Sequence, residues 1–221
     1  MSFSEKVKLW FSKVFGTTTP VENPVDNSGT PPKYWSPHKF HPRFKVPAPY
    51  THLHPIDILR SVTGEKEIAG TKDNPLIAHF HEHSPNLGSH SEGADYHDEV
   101  PHCRSAINWA SDGAGCVKSQ TALAADVSGT PVLGDWVEEG DMVHVKNGSQ
   151  NHITFANKRF NRRTSSSFEG FGSNQSNSIR MSFYTTASIK NVNRPKPLPG
   201  TVLAPIGILG AKPVRSDTEN A

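Results

Sequence analysis

One cysteine, one histidine and one asparagine stand in an order that suits nucleophilic catalysis by a thiol. Cys103 follows Pro101 by two positions, where a helix is expected to begin. Unpaired N–H groups and the helix dipole favour an anion there, so the thiol is expected to ionise readily and become a nucleophile. His152 comes 49 positions later, in Asn-His-Ile-Thr-Phe. At the start of an expected strand it is suited to take the thiol proton and return it to a leaving amine. Asn174 follows 22 positions on, in Gly-Ser-Asn-Gln-Ser-Asn-Ser, where its amide can accept the imidazole N–H and hold the ring. Each residue alone also has an ordinary reading: a buried inert thiol, a lone histidine, an Asn/Ser turn.

The elements that must position these residues can be read from periodicity. Ile56, Ile58, Leu59 and Val62 predict a helix ended by Gly64, and Asn74-Pro75 opens a second one with Leu76, Ile77 and Phe80 as apolar positions. A third begins at Pro101, carries Ala106, Ile107 and Ala110, and stops at Gly113 and Gly115. Beyond Leu133 the period changes to two. Asp141 to Lys146 reads as a strand, Asn147-Gly148 as a hairpin turn and His152 to Ala156 as the returning strand. Ser178 to Tyr184 reads as a further strand with Ile179, Met181 and Phe183 on one face. Helices first and an antiparallel sheet afterwards describe an α+β domain, expected over residues 56–190.

The flanks differ in character. Residues 1–16 predict a short basic amphipathic helix, suited to a membrane surface or a partner protein and equally to packing on its own domain. The segment lacks the uninterrupted apolar stretch and cleavage site of a secretory signal. Residues 17–55 form a Pro-rich arm with interleaved aromatic residues, and residues 191–221 a Pro/Gly-rich tail. Of 221 residues, 23 are Lys or Arg and 21 Asp or Glu, a net charge of +2, so no nucleic-acid partner is expected from the whole-molecule field. No run approaches the ~18 to 20 apolar residues of a membrane span. Two cysteines exclude a disulfide scaffold or a four-thiolate zinc site.

Several short motifs in one order resemble a known family. Asp98-Glu99-Val100-Pro101-His102-Cys103, followed by Ala106, Asn108-Trp109 and Gly115, resembles the nucleophile helix of NlpC/CHAP-type papain-like cysteine hydrolases, especially their small phage and prophage group. Gly64 to Ile68 with Asn74-Pro75, then Glu139 to Val143, His152, and Gly172 to Asn177 fit the same group in the same order. The resemblance spans residues 56–184. It implies a papain-like fold without a cofactor and a peptidoglycan amidase or endopeptidase with Cys103 as nucleophile, His152 as acid/base and Asn174 as orienting residue. Gln175, His102, Glu99 and Asn151 are the accompanying substrate or oxyanion candidates. The chain departs from the family at His102, usually Trp, at Arg104, usually small, and at Asn151, usually Gly. The arms have no counterpart in the resemblance and are expected to fix the protein in a larger assembly such as a virion, made in the bacterial host and acting at its cell wall.

Two other classes remain open. Ten of the twelve histidines lie between His38 and His102, and His79 and His83 share a face at the i, i+4 spacing of zinc ligands if residues 75 to 83 are helical. A zinc-dependent wall amidase or peptidase is therefore a rival enzyme, although no H-E-x-x-H motif is present and these histidines are expected at the surface. The other class is a catalytically inactive virion structural or binding protein on the same fold. Cys116, Trp109 and Trp136 are expected in the core. Lys158, Arg159, Arg162 and Arg163 are expected to form a solvated loop.

Overall fold

A computed structural model describes residues 46–68, 73–84, 98 and 101–208. The helix expected at residues 1–16, most of the arm and Glu99 lie outside the described residues. The elements are α1 (Pro55–Arg60), α2 (Pro75–Phe80) continued by a 3₁₀ turn (His81–His83), α3 (Cys103–Gly113), and strands β1 (Thr130–Pro131), β2 (Trp136–Val137), β3 (Met142–Asn147), β4 (Gln150–Ala156), β5 (Phe160–Asn161), β6 (Ser167–Gly172), β7 (Arg180–Thr185) and β8 (Ile189–Arg194). Six strands form one antiparallel sheet in the order β1-β8-β3-β4-β6-β7, and β2 pairs with β5 separately. The architecture is α+β.

The helices start where local chemistry provides partners for their first N–H groups. The Asn74 side chain accepts from the N–H groups of Leu76 and Ile77, with Pro75 in the first turn. The His54 side chain serves the N–H of Ile56 in the same way. Helix α3 is buried from Cys103 to Ser111, on polar as well as apolar positions, because it packs against α1, α2 and β4 at once. A helix enclosed all round must satisfy its polar side chains internally. Asn108 donates to Ser84 Oγ and the Thr121 carbonyl and accepts from the Ser119 N–H. Arg104 donates to the carbonyls of Leu123 and Asp126. The loop after the helix is thereby folded back onto it.

The β3–β4 hairpin pairs Asn147 with Gln150, so its two-residue turn is Gly148-Ser149, one position later than expected. Gly148 has φ +58°, the left-handed backbone that this first turn position requires. One sheet face carries Val143, Val145, Ala156, Phe168 and Val192, closed over by Val137 and Phe160. Gly170 and Gly172 meet a different demand: a Cβ at Gly170 would stand 2.7 Å from both Thr154 and Tyr184 side chains, and one at Gly172 2.7 Å from Gln175 Nε2. These glycines let the side chains of β4, β7 and the 173–177 turn close over β6.

Four expectations are corrected here. Strand β8 crosses the boundary drawn at residue 190 and lies between β1 and β3, so part of the expected tail is sheet. Both arms also join this unit where they are described. His52 bridges Leu203 in parallel, the N–H groups of Thr51 and His52 donate to the Val202 carbonyl, and the Gly207 N–H donates to Asp57. Phe183 is 55% exposed on β7, the last strand in the sheet order, while Tyr184 packs inward. Trp136 is 50% exposed, with the Arg159 guanidinium 4.1 Å from its ring centre, whereas Trp109 and Cys116 are buried as expected. The basic run lies in loop and turn and stays largely exposed, as expected, with Lys158 paired to Glu169, Arg159 to Glu138 and Arg163 to Asp135 at the surface.

Candidate active site

Cys103 is the first residue of α3, and the preceding His102 gives the helix no side-chain cap. The reason is that the imidazole of His102 is engaged elsewhere. Its Nδ1 is 2.5 Å from Ser173 Oγ and its Nε2 3.1 Å from Glu67 Oε1. Fully buried, it joins three segments: the one before α2, the start of α3 and the turn after β6. Burial lowers its pKa to about 3, assisted by charge on His81 and His152, so it is a neutral tie bar. Asp98 is a second fastening, accepting from the N–H groups of Ile68 and Asn74.

The thiol of Cys103 is set against β4. The backbone N–H groups of Ile153 and Arg104 act on its sulfur and favour the thiolate, but burial outweighs them and raises the pKa. The expected lowering by the helix terminus is therefore present in sign and overruled in magnitude. Cys103 is 5% exposed, and both cysteines are free thiols.

His152 is the residue next to Ile153. Its ring stacks on Tyr184 with centroids 5.7 Å apart, and its buried Nε2 has no hydrogen-bond partner. Burial lowers its pKa to about 4, with charge on His144 as the second cause. At neutral pH both the thiol and the imidazole are thus uncharged, and no resting ion pair forms between them. Thiol charge also pushes up the Tyr184 hydroxyl, after burial, which places Cys103, His152 and Tyr184 in one electrostatic neighbourhood.

A cavity of about 950 Å³ opens on His152 and Tyr184, lined also by Pro101, Asn151, Asn174, Gln175 and Arg180 among others, with Cys103 behind its wall. Among the described residues its wall is mostly amide and hydroxyl, with one guanidinium and no carboxylate. Continuing the β4–β6 register beyond its last hydrogen-bonded pairs sets Asn174 level with His152. The ladder has ended by then, and Asn174 has a left-handed φ of 58° and makes no side-chain hydrogen bond to His152. Its neighbour Gln175 is the buried amide: Nε2 donates to Thr154 Oγ1, while Oε1 has no partner. Asn151 is exposed, and its Oδ1 accepts from His144 Nε2 at 3.0 Å.

Of the expected site residues, Cys103 and His152 sit on adjoining elements, Asn174, Gln175 and Asn151 share the cavity wall with His152, and His102 is a buried tie. Tyr184, Thr154 and Arg180 were missed. The alternation along β7 was legible, but its even-numbered side chains, not Met181 and Phe183, belong to the His152 side. Arg104, next to the thiol, has a pKa lowered by burial to about 10. Among the described residues, no three His, Cys, Asp or Glu side chains converge on one metal position, and no helix is long and apolar enough to cross a membrane. No family model, curated protein or solved structure matches the chain.

Proposed function

We propose that this chain is a thiol hydrolase of the papain-like, NlpC/CHAP kind that cleaves an amide bond of the peptidoglycan peptide. The observation that carries the reading is the seating of Cys103 against the Ile153 N–H, one residue from a histidine whose Nε2 is buried, unpartnered and uncharged. A neutral imidazole is the form that accepts a proton. In the proposed reaction His152 takes the thiol proton as sulfur attacks the amide carbon, and the Cys103 N–H stabilises the oxyanion. The proton then passes to the leaving amine, and water hydrolyses the thioester to release the acid and restore the thiol. Gln175, anchored on Thr154, and Asn174 supply the amide groups that steady the imidazole and the bound peptide.

The polar cavity with a single guanidinium suits a peptide bearing carboxylates and hydroxyl-rich sugar. The motif order at Cys103, His152 and Gly172 to Asn177 directs the choice to cell-wall peptide, in the setting of a virion-associated phage enzyme. Cys103 is 5% exposed and does not line the cavity, so attack requires its sulfur to become more accessible than it is here. Purified Cys103→Ala protein tested on peptidoglycan by zymogram and turbidity decides the mechanism. Loss of lysis with an unchanged circular dichroism spectrum supports it, and full activity sinks it. A wild-type protein inert toward peptidoglycan of several wall types would instead favour a non-catalytic role on this fold.

A further inference from the structure

His79, His81 and His83, expected at the surface, are buried, as is His102. What sets His102 apart is the element it fastens, the turn from Ser173 to Asn177 that carries two amides of the cavity wall. Three residues of this turn, Asn174, Ser176 and Asn177, have left-handed φ of 58°, 50° and 58°, and none is glycine. Residues with side chains keep that backbone only where their surroundings enforce it.

At both ends the turn is tied to segments outside it. Ser173 is fully buried, and its Oγ is 2.5 Å from His102 Nδ1. The Asn177 carbonyl accepts from the Glu67 N–H at 2.9 Å, beside the antiparallel bridge of Lys66 with Ser178. These two ties meet, since the Glu67 carboxylate is bonded to His102 Nε2 at 3.1 Å. One chain of contacts therefore joins the entry of the turn to its exit, running from Ser173 through His102 and Glu67 to Asn177. The proton order along it follows from the groups. The ring is neutral and a carboxylate accepts, so Nε2 carries the ring proton and Nδ1 accepts from the Ser173 hydroxyl.

We propose that His102 is a positioning residue for the thiol reaction: by fastening both ends of the turn, it holds the amides of Asn174 and Gln175 in place relative to Cys103. The inference rests on the hydrolase reading above. His102 is the residue before Cys103, so the group that fixes the turn is the chain neighbour of the nucleophile, whose own N–H is the proposed oxyanion donor. Being fully buried, it touches no substrate and acts through Ser173 and Glu67. The Ser173 link is the more direct of the two, since Asn174 and Gln175 follow Ser173 in the chain. Its loss moves the amides without removing them, and a displacement of about 1 Å at a reacting centre can cost about 100-fold in rate.

The test compares full-length variants on soluble peptidoglycan fragments, with release of amino groups as the readout. His102→Asn keeps an oxygen near the place of Nδ1 for Ser173, and His102→Gln keeps an N–H near the place of Nε2 for Glu67. Ser173→Ala and His102→Gln should lower kcat about tenfold or more with KM within about twofold. His102→Asn should recover about a third of the wild-type kcat, although both histidine variants lose similar Tm. Wild-type kcat in all three well below Tm, or equal losses in the Asn and Gln variants, overturns the positioning role. Should neither histidine variant fold, Ser173→Ala, which removes a single oxygen, carries the test. A wild type inert toward peptidoglycan defeats the hydrolase reading instead, and hydrogen exchange then judges the fastening. Ser173→Ala should speed exchange of the Gln175 and Ile179 amides about tenfold or more, while the Ala114 amide of α3 stays as protected as before. Unchanged exchange in the turn overturns the fastening.

Discussion

The two ends of helix α3 treat histidine in opposite ways. At the N-terminal end no carboxylate among the described residues pairs with His152, and its pKa is lowered to about 4 by burial. At the C-terminal end His79 and His83 each have a carboxylate oxygen 3.0 Å from Nδ1. The first environment keeps a ring neutral and its Nε2 available to a proton in transit. The second sets two rings edge to face with their Nε2 atoms 3.4 Å apart, so the proton state of each constrains the other. Residue type is the same in both; the partner of the other nitrogen decides what the ring can do.

The comparison can be broken most directly at the thiol. Cys103→Ala should lower wall lysis by about 10³-fold or more, while the Tm and the packing at the far end of the helix stay unchanged. A parallel loss of lysis and of stability would mean that Cys103 serves the packing of α3 more than the reaction. The acid limb of kcat/KM should lie near pH 4, since His152 must be neutral to act as base and its pKa is lowered to about 4. A limb near 6.5 would mean that the ring is hydrated in solution.

Stability should respond to acid with the same sign. His54, His102 and His152 have folded pKa values lowered from 6.5 to about 4, 3 and 4. The unfolded chain therefore binds protons that the folded chain refuses. Their stabilising contribution is whole above pH 6.5 and declines as pH falls from 6.5 through 4, so Tm at pH 5 should be several degrees below Tm at pH 7. A Tm independent of pH over that range would contradict their burial as neutral groups. Gly170→Ala should cost about 1–3 kcal/mol in denaturant unfolding, because the new methyl meets Thr154 and Tyr184 at 2.7 Å. The smallest contrast separates two amides: Gln175→Ala should reduce kcat about tenfold, and Asn174→Ala no more than about threefold, because only Gln175 is buried and anchored on β4. The reverse order would return the orienting role to Asn174.

Much of this was legible before the fold was known, and for local reasons. Asn74-Pro75 carries its own capping chemistry, and Pro101 with the glycines after residue 112 brackets α3. Asn147-Gly148 announced a hairpin, displaced by one residue because Gly148, not Asn147, takes the left-handed position. What stayed hidden was tertiary. Strand β8, Ile-Lys-Asn-Val-Asn-Arg, reads as polar and runs into a proline-rich stretch, yet it is held by pairing to β1 and β3 on either side. The buried histidines carry no periodic signature, since their cover comes from α3 and the loops it gathers. At the site, the order Cys103, His152, Asn174 was visible, whereas the net upward shift of the thiol depended on a burial that position in a helix does not reveal.

The parallel bridge between His52 and Leu203 bears on how the molecule carries force. The chain enters this unit along residues 46–52 and leaves along 203–208, and at the bridge the two run in the same direction. Tension applied between residues 46 and 208 would load that contact in shear. The strands and α3 lie within the loop the contact closes, so a pull on both ends would be borne by the clasp at 51–52 and 202–204 before it reached the sheet that holds Cys103 against β4.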